Sequence, residues 1–230
     1  MVDKKGFTLF ILICIFSHSM RGQPNLVNTY EAFAGFGLLT NHGNQYYQLD
    51  SNPKFGGTVG VLAGHAFSEL FKLKLGLSLD RKGYSSAESG IIDIVSNRTL
   101  HFRREKDITY LSILAIPTVQ LGAKRRIGLG AGIFYSFLLK AQGTFVTIDE
   151  SSGNVLVNRS GDTSNSVSDD IGVVLNASYR LAMGRTTIDL RLQENFGIFY
   201  YTESFGYPIK SGLTCVMVSV IIPNRHSKNP

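Results

Sequence analysis

Beyond residue 23 the chain repeats one pattern, apolar side chains at alternate positions in runs long enough to be strands. Phe71, Leu73, Leu75, Leu77 and Leu79 alternate with Lys72, Lys74, Gly76, Ser78 and Asp80. Ile127, Leu129, Ala131, Ile133, Tyr135, Phe137 and Leu139 alternate with Gly128, Gly130, Gly132, Phe134, Ser136, Leu138 and Lys140. Ile171, Val173, Leu175, Ala177, Tyr179 and Leu181 do so with Asp170, Gly172, Val174, Asn176, Ser178 and Arg180, and Ile188, Leu190 and Leu192 with Asp189, Arg191 and Gln193. Successive strand side chains point to opposite faces, so each run predicts a strand with one apolar face. Weaker runs at 30–39, 54–67, 108–122 and 207–222 bring the set to eight.

The connections decide the class. Tight hairpins are predicted at Phe67-Ser68-Glu69-Leu70, Ala123-Lys124-Arg125-Arg126 and Ala182-Met183-Gly184-Arg185. Long connections cover 40–53, 85–107 and 141–167, with a shorter one at 199–206. Long and short alternate strictly, as in outer-membrane barrels with short periplasmic turns and longer external loops. The expectation is all-β: an eight-stranded antiparallel up-and-down transmembrane β-barrel over 24–222, closed so that no strand edge meets hydrocarbon. An even strand count places both termini, including a tail at 223–230, on the periplasmic side of a bacterial outer membrane.

The first 23 residues stand apart. Lys4 and Lys5 precede an almost unbroken apolar run from Phe7 to Phe16, followed by the small residues Ser17 and Ser19. That order predicts a secretory signal peptide over 1–23, and its apolar run is too short to span a bilayer as a helix. Ile13 before Cys14 disfavours a lipoprotein cysteine. After cleavage only Cys215 remains, so no internal disulfide can form.

Composition then matters in two ways. The mean hydropathy of +0.06 looks like that of a soluble protein, but a barrel averages an apolar face against polar ones. The formal charge of +6 falls to +4 once Lys4, Lys5, Arg21 and Asp3 leave with the signal peptide. That is too mild and too scattered for a nucleic-acid surface.

Alternation alone does not say which face is inside. Glycines gather on the less apolar face (Gly60, Gly64, Gly76, Gly128, Gly130, Gly132 and Gly172), as a narrow interior requires. The same face carries both signs of charge, in Lys72, Lys74, Asp80, Lys82, Asp170, Arg180, Asp189 and Arg191. These are the lumen-facing candidates, either lining a solute path or, as the narrow bore favours, pairing across a filled interior. Glu194 falls in phase with Ile188, Leu190 and Leu192, so either a bulge shifts the register there or it lies above the hydrocarbon. Tyr84, Tyr110, Tyr135, Phe137, Phe196, Phe199, Tyr200, Tyr201, Phe205 and Tyr207 fall near the long-loop ends, as an aromatic girdle or as loop core.

The segments Gly60-Val61-Leu62-Ala63-Gly64, Leu75 to Gly83 (LGLSLDRKG), Tyr110 to Pro117 (YLSILAIP) and Gly128-Leu129-Gly130-Ala131-Gly132 occur in that order. Together they make the mature chain resemble the PorT-like outer-membrane β-barrel family of Bacteroidetes-type bacteria. The chain departs from that pattern where Leu114 and Ala115 intervene before Ile116-Pro117, and where it ends in Asn224 to Pro230 without a terminal aromatic residue. The resemblance implies fold and compartment, with secretion or gliding machinery served by some relatives, and it transfers no catalytic residue.

Candidate chemistry is sparse. Gly128, Gly130 and Gly132 form half a nucleotide fingerprint, but no helix follows to build a phosphate cradle. His42, His65 and His101 lack metal-ligand spacing. Asp169 and Asp170 could form a carboxylate pair for acid–base chemistry, but Asp170 reads as lumen-facing and Asp169 as loop-proximal, so their side chains diverge. Asn97-Arg98-Thr99 and Asn158-Arg159-Ser160 match a glycosylation pattern without meaning in a bacterial exported chain. Arg98, Arg103, Arg104 and Lys106 form a basic loop run, either solvated or in contact with lipopolysaccharide phosphates. The sequence therefore predicts a non-enzymatic outer-membrane barrel with no cofactor or metal. Its long loops would serve structural, surface-interaction or secretion-associated roles, with membrane lipid, lipopolysaccharide and envelope proteins as partners. The alternatives are a small barrel enzyme acting on lipid or peptide through His42, His101 and rim carboxylates, and a soluble ligand-binding barrel.

Overall fold

The computed structural model describes residues 29–43, 51–52, 54–86, 89–93, 98–122, 124–183, 186–198, 201–202 and 208–223. The predicted signal peptide, the Gly184-Arg185 pair and residues 224–230 lie outside these.

Eight strands form the barrel: β1 (Thr29–Gly43), β2 (Lys54–Ala66), β3 (Phe71–Ser86), β4 (Arg98–Leu121), β5 (Ile127–Asp149), β6 (Asp170–Met183), β7 (Thr186–Gly197) and β8 (Pro208–Pro223). Each pairs antiparallel with its successor in the chain. The ring closes through β1 and β8, in register from Thr29 opposite Pro223 to Gly43 opposite Ile209. This is the predicted closed antiparallel barrel, without a free edge in its wall.

Short turns tie one end. In the β2–β3 hairpin, Ser68 Oγ accepts the N–H of Phe71 at 3.0 Å. In the β4–β5 turn, the Arg125 N–H donates to the Gly122 carbonyl at 2.9 Å, with Gly122 and Arg125 both at positive φ, 86° and 48°. A left-handed pair of this kind reverses the chain in few residues.

The other end departs from expectation. Sequence alternation placed loops at 85–107 and 141–167, yet β4 begins at Arg98 and β5 continues to Asp149. Their ladder runs on from Thr109 opposite Lys140 to Leu100 opposite Asp149. Ser89–Asp93 pairs with the outer stretch of β4 and Val155–Asp162 with that of β5. The result is a four-stranded antiparallel sheet beyond the closed barrel. The physical reason it was hidden is a bulge. Tyr110 lies opposite Leu138 and Thr109 opposite Lys140, so Leu139 is an extra residue that shifts the alternation of everything after it.

Side chains inside the ring form two apolar clusters. One joins Phe33, Leu62, Leu114, Ile116, Phe134, Val174, Leu213 and Met217 with neighbours. The second, nearer the long-connection end, joins Tyr84, Ile108, Tyr110, Ala141 and Val167. Gly172 lets β6 and the Phe134 ring approach. A Cβ there would lie 1.9 Å from the Phe196 carbonyl oxygen and 2.6 Å from Phe134 ring atoms.

Candidate functional site

Between and around the apolar clusters the interior holds charge. In the half nearer the short turns, Glu31 of β1 meets two cations, Lys74 Nζ at 2.9 Å and Arg191 of β7. Lys74 also lies 3.9 Å from Asp189, which in turn accepts Arg180 Nε at 3.1 Å. Midway, Asp80 accepts Thr58 Oγ1 at 2.5 Å and the Ser112 hydroxyl, and Ser112 Oγ lies 2.6 Å from Ser136 Oγ. Farther along, Lys82 Nζ is 3.0 Å from Asp170 Oδ2, between the rings of Tyr110 and Phe134 at 5.2 and 4.6 Å. Strand geometry explains the convergence, because alternate residues of β1, β3, β6 and β7 face one narrow bore.

All eight residues read from the sequence as lumen-facing lie on this inner side. Lys74, Asp80, Lys82, Asp170, Asp189 and Arg191 are buried, and Lys72 and Arg180 are partly buried toward the short-turn mouth. Missing from that set was Glu31, the acceptor that joins Lys74 to Arg191. Its signal was present in the weak first strand: Tyr30, Ala32, Ala34, Phe36 and Leu38 form an apolar series, leaving Glu31 on the opposite face.

The outer face is the inverse. Phe36 is 70% exposed and Phe55 73%, whereas Asp189 is 0% and Arg191 2% exposed. Leu77, Leu79, Leu129, Ile133, Leu190, Leu192, Val216 and Ile222 continue the exposed apolar surface around the ring. At the short-turn end it carries aromatic residues too: Phe67 packs against His65 and Phe71, with ring centroids 4.6 and 5.8 Å apart. At the opposite rim, charge returns to the surface. Asp107 bridges Lys54 at 3.0 Å and Arg81 at 3.2 Å, and Lys54 lies 3.6 Å from Glu105.

Glu194 fits neither sequence explanation. The β7 ladders run without a register shift on either side. On the outer face Glu194 has Leu192 on one side and the exposed Phe196 and Ile198 on the other, so it sits within the apolar band. Its carboxylate accepts the Thr214 hydroxyl from β8.

The basic run expected in a loop is also corrected: it belongs to β4. Arg103 ion-pairs with Glu105, Arg104 lies 5.6 Å over the Phe145 ring, and Lys106 is buried. Arg98 starts the same strand opposite Asp93. Phe145 stacks on Phe102 at 5.7 Å, so this run is the spine of the outer sheet.

Of the other candidates, Asp169 and Asp170 diverge. Asp169 accepts the Tyr135 hydroxyl at 3.1 Å and the Leu138 N–H at 3.0 Å, while Asp170 faces Lys82. His101 lies 3.5 Å from the exposed Glu150. His42 falls in β1, with its side chain outside the described set. Gly128, Gly130 and Gly132 lie within β5, with no helix after them. Among the described residues no group of three His, Cys, Asp or Glu side chains could hold a metal ion.

A closed wall of strands with paired charge within and an apolar band without meets what hydrocarbon demands of a polypeptide: among the described residues the ring has no free backbone edge, and Glu194 is the charge set within the apolar band. The class so defined is the membrane-spanning β-barrel.

No family model matches the chain, and no curated protein matches it. Among solved structures it is similar to Ail, the attachment invasion locus protein of Yersinia pestis, at 10% identity over 86% of this chain and 100% of that one, with a TM-score of 0.40. Neisserial surface protein A matches at 13% identity over 83% and 96% of the two chains, TM-score 0.40. The outer membrane protease OmpT from Escherichia coli matches at 8% identity over 85% and 97%, TM-score 0.41.

Proposed function

We propose that this chain is an integral, non-enzymatic protein of a bacterial outer membrane, exported by its N-terminal signal and related to the PorT-like barrels. Its short turns and both termini lie in the periplasm. The observation that carries this is the inversion of faces. A soluble barrel buries its apolar set and exposes its charges, and here Arg191, Lys82 and Asp189 are buried while Phe36, Phe55 and Ile133 are exposed. The filled, ion-paired bore supports a structural wall over a diffusion pore. The sheet built on β4 and β5 is then the part offered to the outside. Its role is to meet lipopolysaccharide, other envelope proteins or secretion-associated components.

Cell fractionation with gel migration of heated and unheated samples tests this. Retention with the outer membrane and a heat-dependent shift in migration are expected. Partition into the aqueous fraction would establish the soluble ligand-binding barrel instead.

A further inference from the structure

We propose that the short-turn end of the barrel binds the phosphate headgroups of anionic phospholipid through Lys124, Arg125 and Arg126. The inference rests on the membrane assignment above and adds a ligand class and a site to it.

Three observations converge on this turn. The first is charge without compensation. The three consecutive cations are all exposed, and the nearest carboxylate is Glu69 of the neighbouring hairpin, which pairs with Arg125. Lys124 and Arg126 have no ion-pair partner among the described residues. The opposite rim pairs most of its cations: Lys54, Arg81, Arg103 and His101 each lie against Glu105, Asp107 or Glu150, while the exposed Lys140 and Arg159 stand singly. Three consecutive cations sharing one carboxylate attract an anion.

The second observation is depth. Leu121 is 40% exposed and Ile127 44%, and they end the apolar outer faces of β4 and β5 at the foot of the turn. Phe67, Leu70 and Phe71 continue the exposed apolar edge on the next hairpin. The cations therefore stand at the hydrocarbon boundary, at the level of headgroup phosphates. A cell-wall polymer or a free ion would be met farther out. The third observation is fixed geometry. The Gly122–Arg125 hydrogen bond closes the turn, and the Arg180 N–H donates to the Arg126 carbonyl at 2.7 Å, tying the turn to β6. The fixed backbone keeps the three side chains on one short turn, and a guanidinium can grip phosphate oxygens two at a time.

Each cation near an anionic surface contributes about fivefold to binding, so two unmatched cations predict a preference of about twenty-five-fold. The full-length protein, in a zwitterionic detergent, is mixed with equal amounts of phosphatidylglycerol and phosphatidylcholine of the same acyl chains. Retained lipid is counted by native mass spectrometry. Phosphatidylglycerol should be retained about twenty-five-fold over phosphatidylcholine. The preference should vanish in K124Q/R125Q/R126Q and with high salt, and persist in K54Q/R81Q at the other rim. Equal retention of the two lipids by the unaltered protein, a preference surviving in the triple variant, or full displacement by inorganic phosphate alone would each overturn the proposal. Heat-dependent migration is scored for every variant. A chain recovered in the aqueous fraction defeats the membrane assignment and this inference together, whereas a membrane-retained, heat-modifiable barrel without lipid preference defeats this inference alone.

Discussion

Lys82 and Asp170 stand 88 residues apart in the chain and 3.0 Å apart in the bore, an ammonium and a carboxylate facing each other from β3 and β6. Both are nearly inaccessible, and the rings of Tyr110 and Phe134 flank the ammonium. A pair withdrawn this far from water gains from mutual attraction only while both members are present. Lys82→Met is expected to cost about 3–5 kcal/mol, by stranding the carboxylate. The double variant Lys82→Met/Asp170→Leu should cost clearly less than the two single changes combined. Denaturant unfolding in detergent or lipid measures all three, and strict additivity would contradict the pairing.

Gly172 and Gly161 make a matched comparison. At Gly172 a methyl group would press on the Phe196 carbonyl and the Phe134 ring, whereas nothing lies within 4 Å of a Cβ at Gly161. Gly172→Ala should destabilise by about 1–3 kcal/mol through overpacking, and Gly161→Ala should stay within about 0.5 kcal/mol of the parent. Equal unfolding midpoints for the two would show that the wall gives way at Gly172.

Glu194 is a carboxylate on an apolar outer face, held by one hydroxyl from Thr214. Facing lipid, it works against the stability of the barrel, so Glu194→Leu is expected to stabilise the lipid-embedded protein by about 1 kcal/mol. Glu194→Lys should do the reverse. Loss of stability in the leucine variant, measured by unfolding in bilayers, would mean that this carboxylate has a partner in the membrane.

The bore is filled by side chains from every wall, with Phe134, Arg191, Lys82 and Tyr110 among the most deeply buried. Reconstituted into planar bilayers, the barrel should show no sustained ionic conductance steps. Regular open-channel events in the unaltered protein would contradict a plugged interior.

A pH effect is expected outside the membrane. Asp162, at the end of the outer sheet, accepts the Ser164 hydroxyl at 2.6 Å and its N–H at 2.8 Å, and these bonds hold its carboxyl below the usual carboxylate range. A depressed folded-state value means that this turn is stabilised above the ordinary carboxylate range. The contribution is lost as pH falls through the depressed value. Amide exchange at Ser164 should accelerate, relative to its intrinsic rate, on acidification, and Asp162→Asn should flatten that dependence.

Much of this was legible in advance because a strand writes its two faces into alternate letters. The runs from Phe71, Ile127, Ile171 and Ile188 name β3, β5, β6 and β7 directly, and the tight turns pair β3 with β2, β5 with β4 and β6 with β7. Two things were not legible. The extra residue at Leu139 moves the later side chains of β5 to the other face, so an unbroken strand reads as an irregular loop, and the outer stretch of β4, with Arg103, Arg104, Glu105 and Lys106 in succession, has no apolar face for alternation to reveal. Glu31 lies in a strand whose inner positions mix Phe33, Gly35 and Leu39, a set with no polar signature of its own. The alternation of Tyr30, Ala32, Ala34, Phe36 and Leu38 puts it on the inner face, but its pairing with Lys74 and Arg191 depends on which strand closes the ring, a global property that no local pattern encodes.

The closure between β1 and β8 also sets an order of events. Glu31 and Arg191, on strands that β8 separates, are 160 residues apart, and contacts across so much chain form only after the intervening segments are in place. Until then β1 keeps one side unpaired and Glu31 lacks one of its two cations. The incomplete molecule is a curled sheet with two reactive margins, open to partners that could add a strand to either. The joint between β1 and β8 is the pairing of longest sequence separation in the wall, and it is the one that leaves neither margin bare.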